Sequence, residues 1–217
     1  MSSQNFVKGI LLGLSGAGKT SLIAQRNCSD IHNLDSTPNP LPTMLTMNVP
    51  FNTRKLKFQI WDTAGQDEMH KVTKNIYHGS QVVFIFTVCA QFPETLPPVS
   101  RYDAELEYYI DAVNENIGLN ECALVFIINK SDCLDEAEYD GRKEEVIKII
   151  KKHIPDFNDI VYLTSCETGE NCEKVIEVGF EKGYNIFEQQ QSKQSNIVVI
   201  GDNNNGEGQN KKKNDCC

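Results

Sequence analysis

The sequence lacks several features that would each assign it to a different class of protein. It has no CxxC pair among its eight cysteines, which argues against a zinc ribbon or a dithiol redox site. It has no run approaching the roughly 20 apolar residues that span a bilayer, and its first residues do not resemble a secretory signal. Its net charge of −9 has the wrong sign for non-specific binding of nucleic acid. These absences favour a protein of a reducing compartment, expected in the cytosol.

Short apolar runs alternate with segments of helical periodicity along most of the chain. The runs are rich in β-branched and aromatic residues, as in Phe6 to Leu12 and Val82 to Val88. Continuously apolar strands indicate a sheet that is buried on both faces. The pattern therefore predicts an α/β fold, with helices on both faces of a mixed, mostly parallel sheet. Leu56 to Ile60 alternates apolar and polar residues, and with TMLTMNVPFN before it predicts an antiparallel hairpin nearer the edge.

Composition divides the chain into one domain and a tail. Residues 1–189 are expected to form the domain. After Gln189 the residues are mostly Gln, Asn, Gly, Ser and Lys, so residues 190–217 are expected to be flexible and mostly disordered. The apolar NIVVI at Asn196 to Ile200 is either a docking patch or an unremarkable stretch of that tail. The chain ends KKKNDCC, and by themselves Cys216 and Cys217 fit a disulfide, a metal corner, a free pair or a lipid attachment site.

A phosphate-binding loop is predicted at Gly13 to Thr20. GLSGAGKT fits G-x-x-x-x-G-K-[ST] without a mismatch, and it lies between a predicted strand and a predicted helix. Glycines there let successive N–H groups point at phosphates, and the helix N-terminus adds partial positive charge. Lys19 is expected to reach the β- and γ-phosphates, and Thr20 to bind Mg²⁺. The nucleotide-binding residues expected in this loop are Gly13, Ser15, Gly16, Ala17, Gly18, Lys19, Thr20 and Ser21.

WDTAGQ, Trp61 to Gln66, follows a predicted strand, which brings Asp62 to the carboxyl end of the sheet near the phosphate loop. An aspartate in that place can hold Mg²⁺ through water. Gly65 has no Cβ, so its N–H can approach a γ-phosphate. Gln66 carries one donor and one acceptor group and can orient an attacking water.

A base-binding site is predicted from two later loops. NKSD follows the strand ALVFII, and the Asp132 carboxylate can accept two parallel hydrogen bonds from N1–H and N2–H₂ of guanine, a donor pair that adenine lacks. Asn129 belongs to the same loop, and Lys130 could lay its stem along the base. In TSCE, a backbone N–H of Ser165 or Cys166 could meet the guanine O6.

GLSGAGKT, the pair Pro42-Thr43, WDTAGQ, NKSD and TSCE occur in this order. Over roughly residues 6 to 187 they resemble the five nucleotide motifs of the Ras-like small GTPases. The resemblance implies GTP or GDP as ligand, Mg²⁺ as cofactor and a sheet of five or six strands. It also implies two switch segments that the γ-phosphate orders. By motif position Thr43 would bind Mg²⁺ beside Thr20 and Asp62, and Gln66, Lys19 and Thr43 would serve hydrolysis; Thr37 is the rival of Thr43.

The CC ending after a polar tail resembles the Rab group, whose terminal cysteines are geranylgeranylated. The resemblance implies lipid on Cys216 and Cys217, with Lys211 to Lys213 adding attraction to anionic lipid. It further implies a monomer that cycles between the cytosol and the cytoplasmic face of an intracellular membrane and acts in vesicle traffic. Effector, exchange factor and GTPase-activating protein would bind the switch segments, and no nucleic acid is expected.

The predicted switch segments depart from the Rab pattern. Thr20 to Thr43 is longer, and Thr43 to Asp62 shorter, than in a typical Rab, and Cys166 and Glu167 stand where TSAK is usual. These departures keep a second function open, a membrane-tethered scaffold that holds guanine nucleotide without turnover. A Rag- or Arf-like signalling GTPase and a P-loop ATPase or kinase are further alternatives. No arginine is found in the phosphate loop, so we expect slow unaided hydrolysis and an activating partner that supplies one.

Overall fold

The computed structural model describes residues 6–26, 43–51, 54–63, 74–90 and 97–203. The strands in this part of the chain are β1 Phe6–Leu12, β2 Thr43–Phe51, β3 Arg54–Asp62, β4 Val82–Val88, β5 Ala123–Asn129 and β6 Val161–Leu163. The helices are α1 Lys19–Arg26, α2 Lys74–Tyr77, α3 Val99–Asn116, α4 Tyr139–His153 and α5 Cys172–Asn203. Strands and helices therefore alternate along most of the chain, as the apolar runs predict.

The strands form one six-stranded sheet in the order β2-β3-β1-β4-β5-β6. Strands β2 and β3 are antiparallel, and all other neighbours are parallel. The predicted mixed, mostly parallel sheet and the predicted edge hairpin are both confirmed. Because β1, β3, β5 and β6 run in the same direction, the loops that follow them meet at one edge of the sheet.

The central strands are buried on both faces. In β4, Val82, Phe84 and Phe86 pack toward one side of the sheet and Val83 and Ile85 toward the other, each with 0% exposure. The first side is covered by α1 and α5, and the second by α2, α3 and α4. Period-two alternation with no polar face is the arrangement that a doubly covered sheet requires.

The last helix is longer than the composition predicts. Helix α5 continues to Asn203, and the Gln190 side chain still contacts the domain, donating to the Glu121 carbonyl oxygen at 3.3 Å and accepting from the Gln81 amide at 3.1 Å. The expectation of disorder after Gln189 is therefore wrong as far as Asn203. Extending an existing helix costs much less free energy than starting one, and Gln and Lys favour helix. Residues 204–217 lie outside the described part of the chain, and the boundary between domain and tail stays a prediction.

None of the helices among the described residues combines the length and the apolar composition needed to cross a membrane.

Candidate nucleotide-binding site

The predicted phosphate loop joins β1 to α1 at the sheet edge where the loops meet. Gly16 and Gly18 have φ values of 77° and 96°, which L residues with side chains rarely adopt. A Cβ on Gly18 would also lie 2.0 Å from Nδ2 of Asn129. Glycine is therefore required at position 18 both by the backbone conformation and by the neighbouring loop. Ser21 follows in the first turn of α1 and is half-buried.

Lys19 is buried and folds back over the loop that precedes it. Its Nζ donates hydrogen bonds to the carbonyl oxygens of Gly13 at 2.7 Å and Leu14 at 3.0 Å. Burial lowers the pKa of the Lys19 ammonium to about 8, and the negative charge of Asp62 opposes that shift. A phosphate bound in the loop would favour the charged form in the same way, because it brings negative charge close to the ammonium.

Three residues expected around Mg²⁺ come from three segments that converge at this edge. Thr20 donates through Oγ1 to Oδ2 of Asp62 at 2.6 Å. Among the described residues, the other carboxylate oxygen of Asp62, Oδ1, is buried and has no hydrogen-bond partner. Thr43 is the direct β2 partner of Asp62 in the register of the hairpin.

The donor set of this cluster fits Mg²⁺. Mg²⁺ binds hard oxygen ligands and is usually held by one or two protein groups, with substrate phosphates and waters completing the octahedron. Burial raises the pKa of the Asp62 carboxyl, while the Thr20 hydrogen bond and the Lys19 charge lower it. A buried carboxylate oxygen without a donor is the kind of group that a cation stabilises. Thr20 and Asp62 would hold the ion, and Thr43 lies on the strand that faces it.

Asn129 connects three loops beneath the predicted base site. Its Nδ2 donates to the carbonyl oxygen of Ala17 at 2.9 Å. Its Oδ1 accepts from the Thr164 hydroxyl at 3.0 Å and from the Cys166 N–H at 3.3 Å. Because Asn129 is only 2% exposed, these bonds are shielded from water. Asn129 thus fixes the phosphate loop relative to the two loops expected to bind guanine.

Asp132 is exposed at the same edge, as a group that reads a base must be. Its Oδ1 accepts a hydrogen bond from the Ser165 hydroxyl, and its Oδ2 lies 3.3 Å from Sγ of Cys133. Lys130 has a left-handed backbone with φ of 65°, and burial lowers the pKa of its ammonium. The NKSD and TSCE loops are therefore in direct contact, and their predicted site residues lie together.

Several residues that support the site were not predicted from the sequence. The Tyr102 hydroxyl on α3 donates to the carbonyl oxygen of Ser15 at 2.9 Å. Thr63 donates to the carbonyl oxygen of Leu11 at 2.6 Å. Ser131 donates to Glu170 at 2.9 Å and so joins the NKSD loop to the turn before α5. No local motif marks these residues, since each contact joins distant parts of the chain.

Other predicted site residues fall on parts of the chain that are not described. These are Gly65 and Gln66, the rival Thr37, and Cys216 and Cys217. Their proposed roles stay predictions.

Comparison with known proteins agrees with this geometry. The family model described as "Ras family" matches residues 8–184. The chain is 30% identical over 172 residues to the Ras-related protein RABC2a of Arabidopsis thaliana, covering 78% of this chain and 74% of that protein. It is 26% identical over 179 residues to the GTP-binding protein YPT53 of Saccharomyces cerevisiae, covering 81% and 76%. It is also 26% identical over 172 residues to the Ras-related protein Rab-31 of Mus musculus, covering 79% and 80%. The chain therefore belongs to the Ras family, as a Rab-like small GTPase.

Proposed function

We propose that this protein is a Rab-like switch that binds GTP with Mg²⁺, hydrolyses it slowly and acts in intracellular vesicle traffic while anchored by lipid. The observation that supports this most directly is the convergence of Thr20, Asp62 and Thr43. The phosphate loop, the end of β3 and the start of β2 meet there, Thr20 and Asp62 through a hydrogen bond and Thr43 through strand register. A group bound at this point would act on both predicted switch segments, which is what a nucleotide-dependent switch requires.

Hydrolysis is assigned to Gln66, which follows Asp62 by four positions in WDTAGQ. Its side-chain amide would orient the attacking water, while Lys19 and the Mg²⁺ held by Thr20 and Asp62 would stabilise negative charge on the phosphates. The phosphate loop contains no arginine. We therefore expect the intrinsic rate to be slow and an activating protein to supply the missing positive charge.

The base is proposed to be guanine. Asp132 carries two carboxylate oxygens at an exposed position beside Ser165, and the N1–H and N2–H₂ groups of guanine form a matching donor pair. ATP offers no such pair, so GTP and GDP should displace one another readily and ATP should displace neither.

Membrane attachment is proposed through prenylation of Cys216 and Cys217, aided by Lys211 to Lys213. Two lipid chains hold a protein to a bilayer far more firmly than one, and clustered lysines add attraction to anionic lipid. The expected location is the cytoplasmic face of an intracellular membrane, with cycling through the cytosol. Effector, exchange factor and activating protein would bind the switch segments of a monomeric domain.

Single-turnover hydrolysis of GTP by the purified protein in the presence of Mg²⁺ tests the proposal. Slow conversion to GDP is expected in the wild type and in Gln189→Leu, a control at an exposed position on α5. Gln66→Leu is expected to slow the conversion while leaving nucleotide binding nearly unchanged. Bound guanine nucleotide that never turns over, with or without the Gln66 substitution, would instead identify a membrane-tethered scaffold.

A further inference from the structure

A lysine lies in the middle of the sheet, away from the phosphate loop. Lys8 is on β1, which has β3 and β4 as its two neighbours, and only 9% of the residue is exposed. Its backbone N–H donates to the Gln81 side chain at 2.8 Å. Burying an ammonium group is costly unless polar partners replace its water, so the contacts of Lys8 deserve a structural reason.

The Lys8 ammonium makes three contacts, and they come from two separate segments. Nζ donates to the carbonyl oxygens of Ile76 at 2.7 Å and His78 at 2.8 Å, at and just after the end of α2. It also lies 5.4 Å from the centroid of the Trp61 ring on β3, within the range of a cation–π interaction. Burial lowers the pKa of Lys8, and these groups are the ones that stabilise its positive charge.

The two segments are the ends of one stretch of chain. Trp61 is the residue before Asp62 in WDTAGQ, whereas Ile76 and His78 close the stretch at α2. Gln66, to which water positioning is assigned above, lies between them. One ammonium group therefore contacts both ends of the segment that carries Gln66.

Fixing both ends of a segment limits where its interior residues can lie. Each backbone residue that is ordered costs roughly 1–2 kcal/mol of conformational entropy, so a segment with one free end samples many more positions. Hydrolysis is sensitive to this, because misplacement of a catalytic group by about 1 Å can reduce the rate by about 100-fold. Nucleotide binding depends instead on the phosphate loop and the NKSD and TSCE loops, none of which contacts Nζ of Lys8 among the described residues.

We propose that Lys8 is a positioning residue for GTP hydrolysis, which joins Trp61 to the end of α2 and so sets the place of Gln66. The inference rests on the proposed function, in which Gln66 orients the attacking water. Lys8 acts through that segment and touches no reacting atom.

Lys8→Met tests the proposal, because methionine fills similar space without charge or donor. The Ile76 carbonyl keeps a second hydrogen bond, from the Ser80 hydroxyl at 3.2 Å, which helps α2 to stay in place. We expect single-turnover hydrolysis to slow by about tenfold or more, while the dissociation rate of GDP changes by less than about twofold. Lys57→Met, at an exposed position on the neighbouring strand β3, is the matched control and should leave both rates unchanged.

Trp61 supplies a second readout, since it is the one tryptophan in the sequence. In Lys8→Met its fluorescence should be quenched more readily by acrylamide than in the wild type or in Lys57→Met, because the segment end is held less firmly. Trp61→Leu approaches the same contact from the other side, and it decides the matter if Lys8→Met does not fold. It should slow hydrolysis as well, and the double variant should lose little beyond the single ones.

The outcomes separate the two claims. Normal hydrolysis in folded Lys8→Met, or in Trp61→Leu where that variant decides, overturns the role of Lys8 and leaves the proposed function standing. A parallel loss of hydrolysis and GDP binding also overturns it, because a general loss of stability would explain both. If the wild type itself shows no turnover, the proposed function fails and the role of Lys8 in hydrolysis fails with it.

Discussion

The side-chain amide of Asn129 donates a hydrogen bond to the carbonyl oxygen of Ala17 at 2.9 Å, across 112 positions of sequence. This bond connects the phosphate loop to the loop expected to bind the base. The two halves of the nucleotide site are therefore held at a set distance by one buried side chain. Its contribution can be measured separately from that of residues that would touch the nucleotide only.

Replacing Asn129 by alanine is expected to speed GDP release by at least about tenfold. The substitution leaves the Ala17 carbonyl, the Thr164 hydroxyl and the Cys166 N–H without their partner, and each buried polar group left unpaired costs roughly 1–3 kcal/mol. Dissociation of a fluorescent GDP analogue measures the effect. Asn116→Ala is the control, because Asn116 donates to the Ala112 carbonyl at the far end of α3. Similar release rates in the two variants would contradict the bridging role.

Asp132→Asn is expected to remove the preference for GTP over inosine triphosphate, which lacks the 2-amino group. A hydrogen bond to a charged group contributes roughly 1.5–3 kcal/mol, so the wild type should prefer GTP by about tenfold or more. Competition between the two nucleotides for the purified protein measures this ratio. Asp135→Asn, at an exposed position after the loop, should keep the full preference. An unchanged ratio in Asp132→Asn would mean that another group reads the base.

Thr20→Asn is expected to weaken Mg²⁺·GTP more than GDP. The Thr20 hydroxyl is directed at Asp62, and the ion held there would also bridge the β- and γ-phosphates, so its loss affects the triphosphate more. Equilibrium titrations with each nucleotide, with Mg²⁺ and with a chelator, provide the comparison. Thr46→Asn, exposed on β2, controls for the substitution itself. Equal weakening of both nucleotides would argue against the Mg²⁺ role.

Arg142→Met is expected to lower the free energy of unfolding by about 3 kcal/mol, because it leaves Asp103 without its buried partner. Arg142 is 6% exposed, forms two hydrogen bonds with the Asp103 carboxylate at 2.7 and 3.0 Å, and also donates to the Val88 carbonyl. Urea unfolding measures the loss. Lys152→Met breaks an exposed ion pair with Glu107 and should cost less than about 1 kcal/mol. Equal losses would show that burial of the Arg142 pair has no effect.

Much of the fold is predictable from local pattern. The apolar runs identify the strands because a doubly covered sheet needs apolar residues on both faces, and the alternation at Leu56 to Ile60 identifies the edge hairpin. The extent of α5 is not predictable in this way. Its polar composition after Gln189 resembles that of a disordered tail, and the contacts of Gln190 with Gln81 and Glu121 come from distant parts of the chain.

By itself the sequence determined the site residues that belong to short motifs, because the spacing of Gly13, Gly18, Lys19 and Thr20 is dictated by how a backbone wraps around phosphate. The tertiary structure alone decided which side chains support them. Tyr102 reaches Ser15, Asn129 reaches Ala17, and Lys8 reaches both Trp61 and the end of α2. Such contacts have no local signature, since they depend on the order of strands in the sheet and on which face each helix covers.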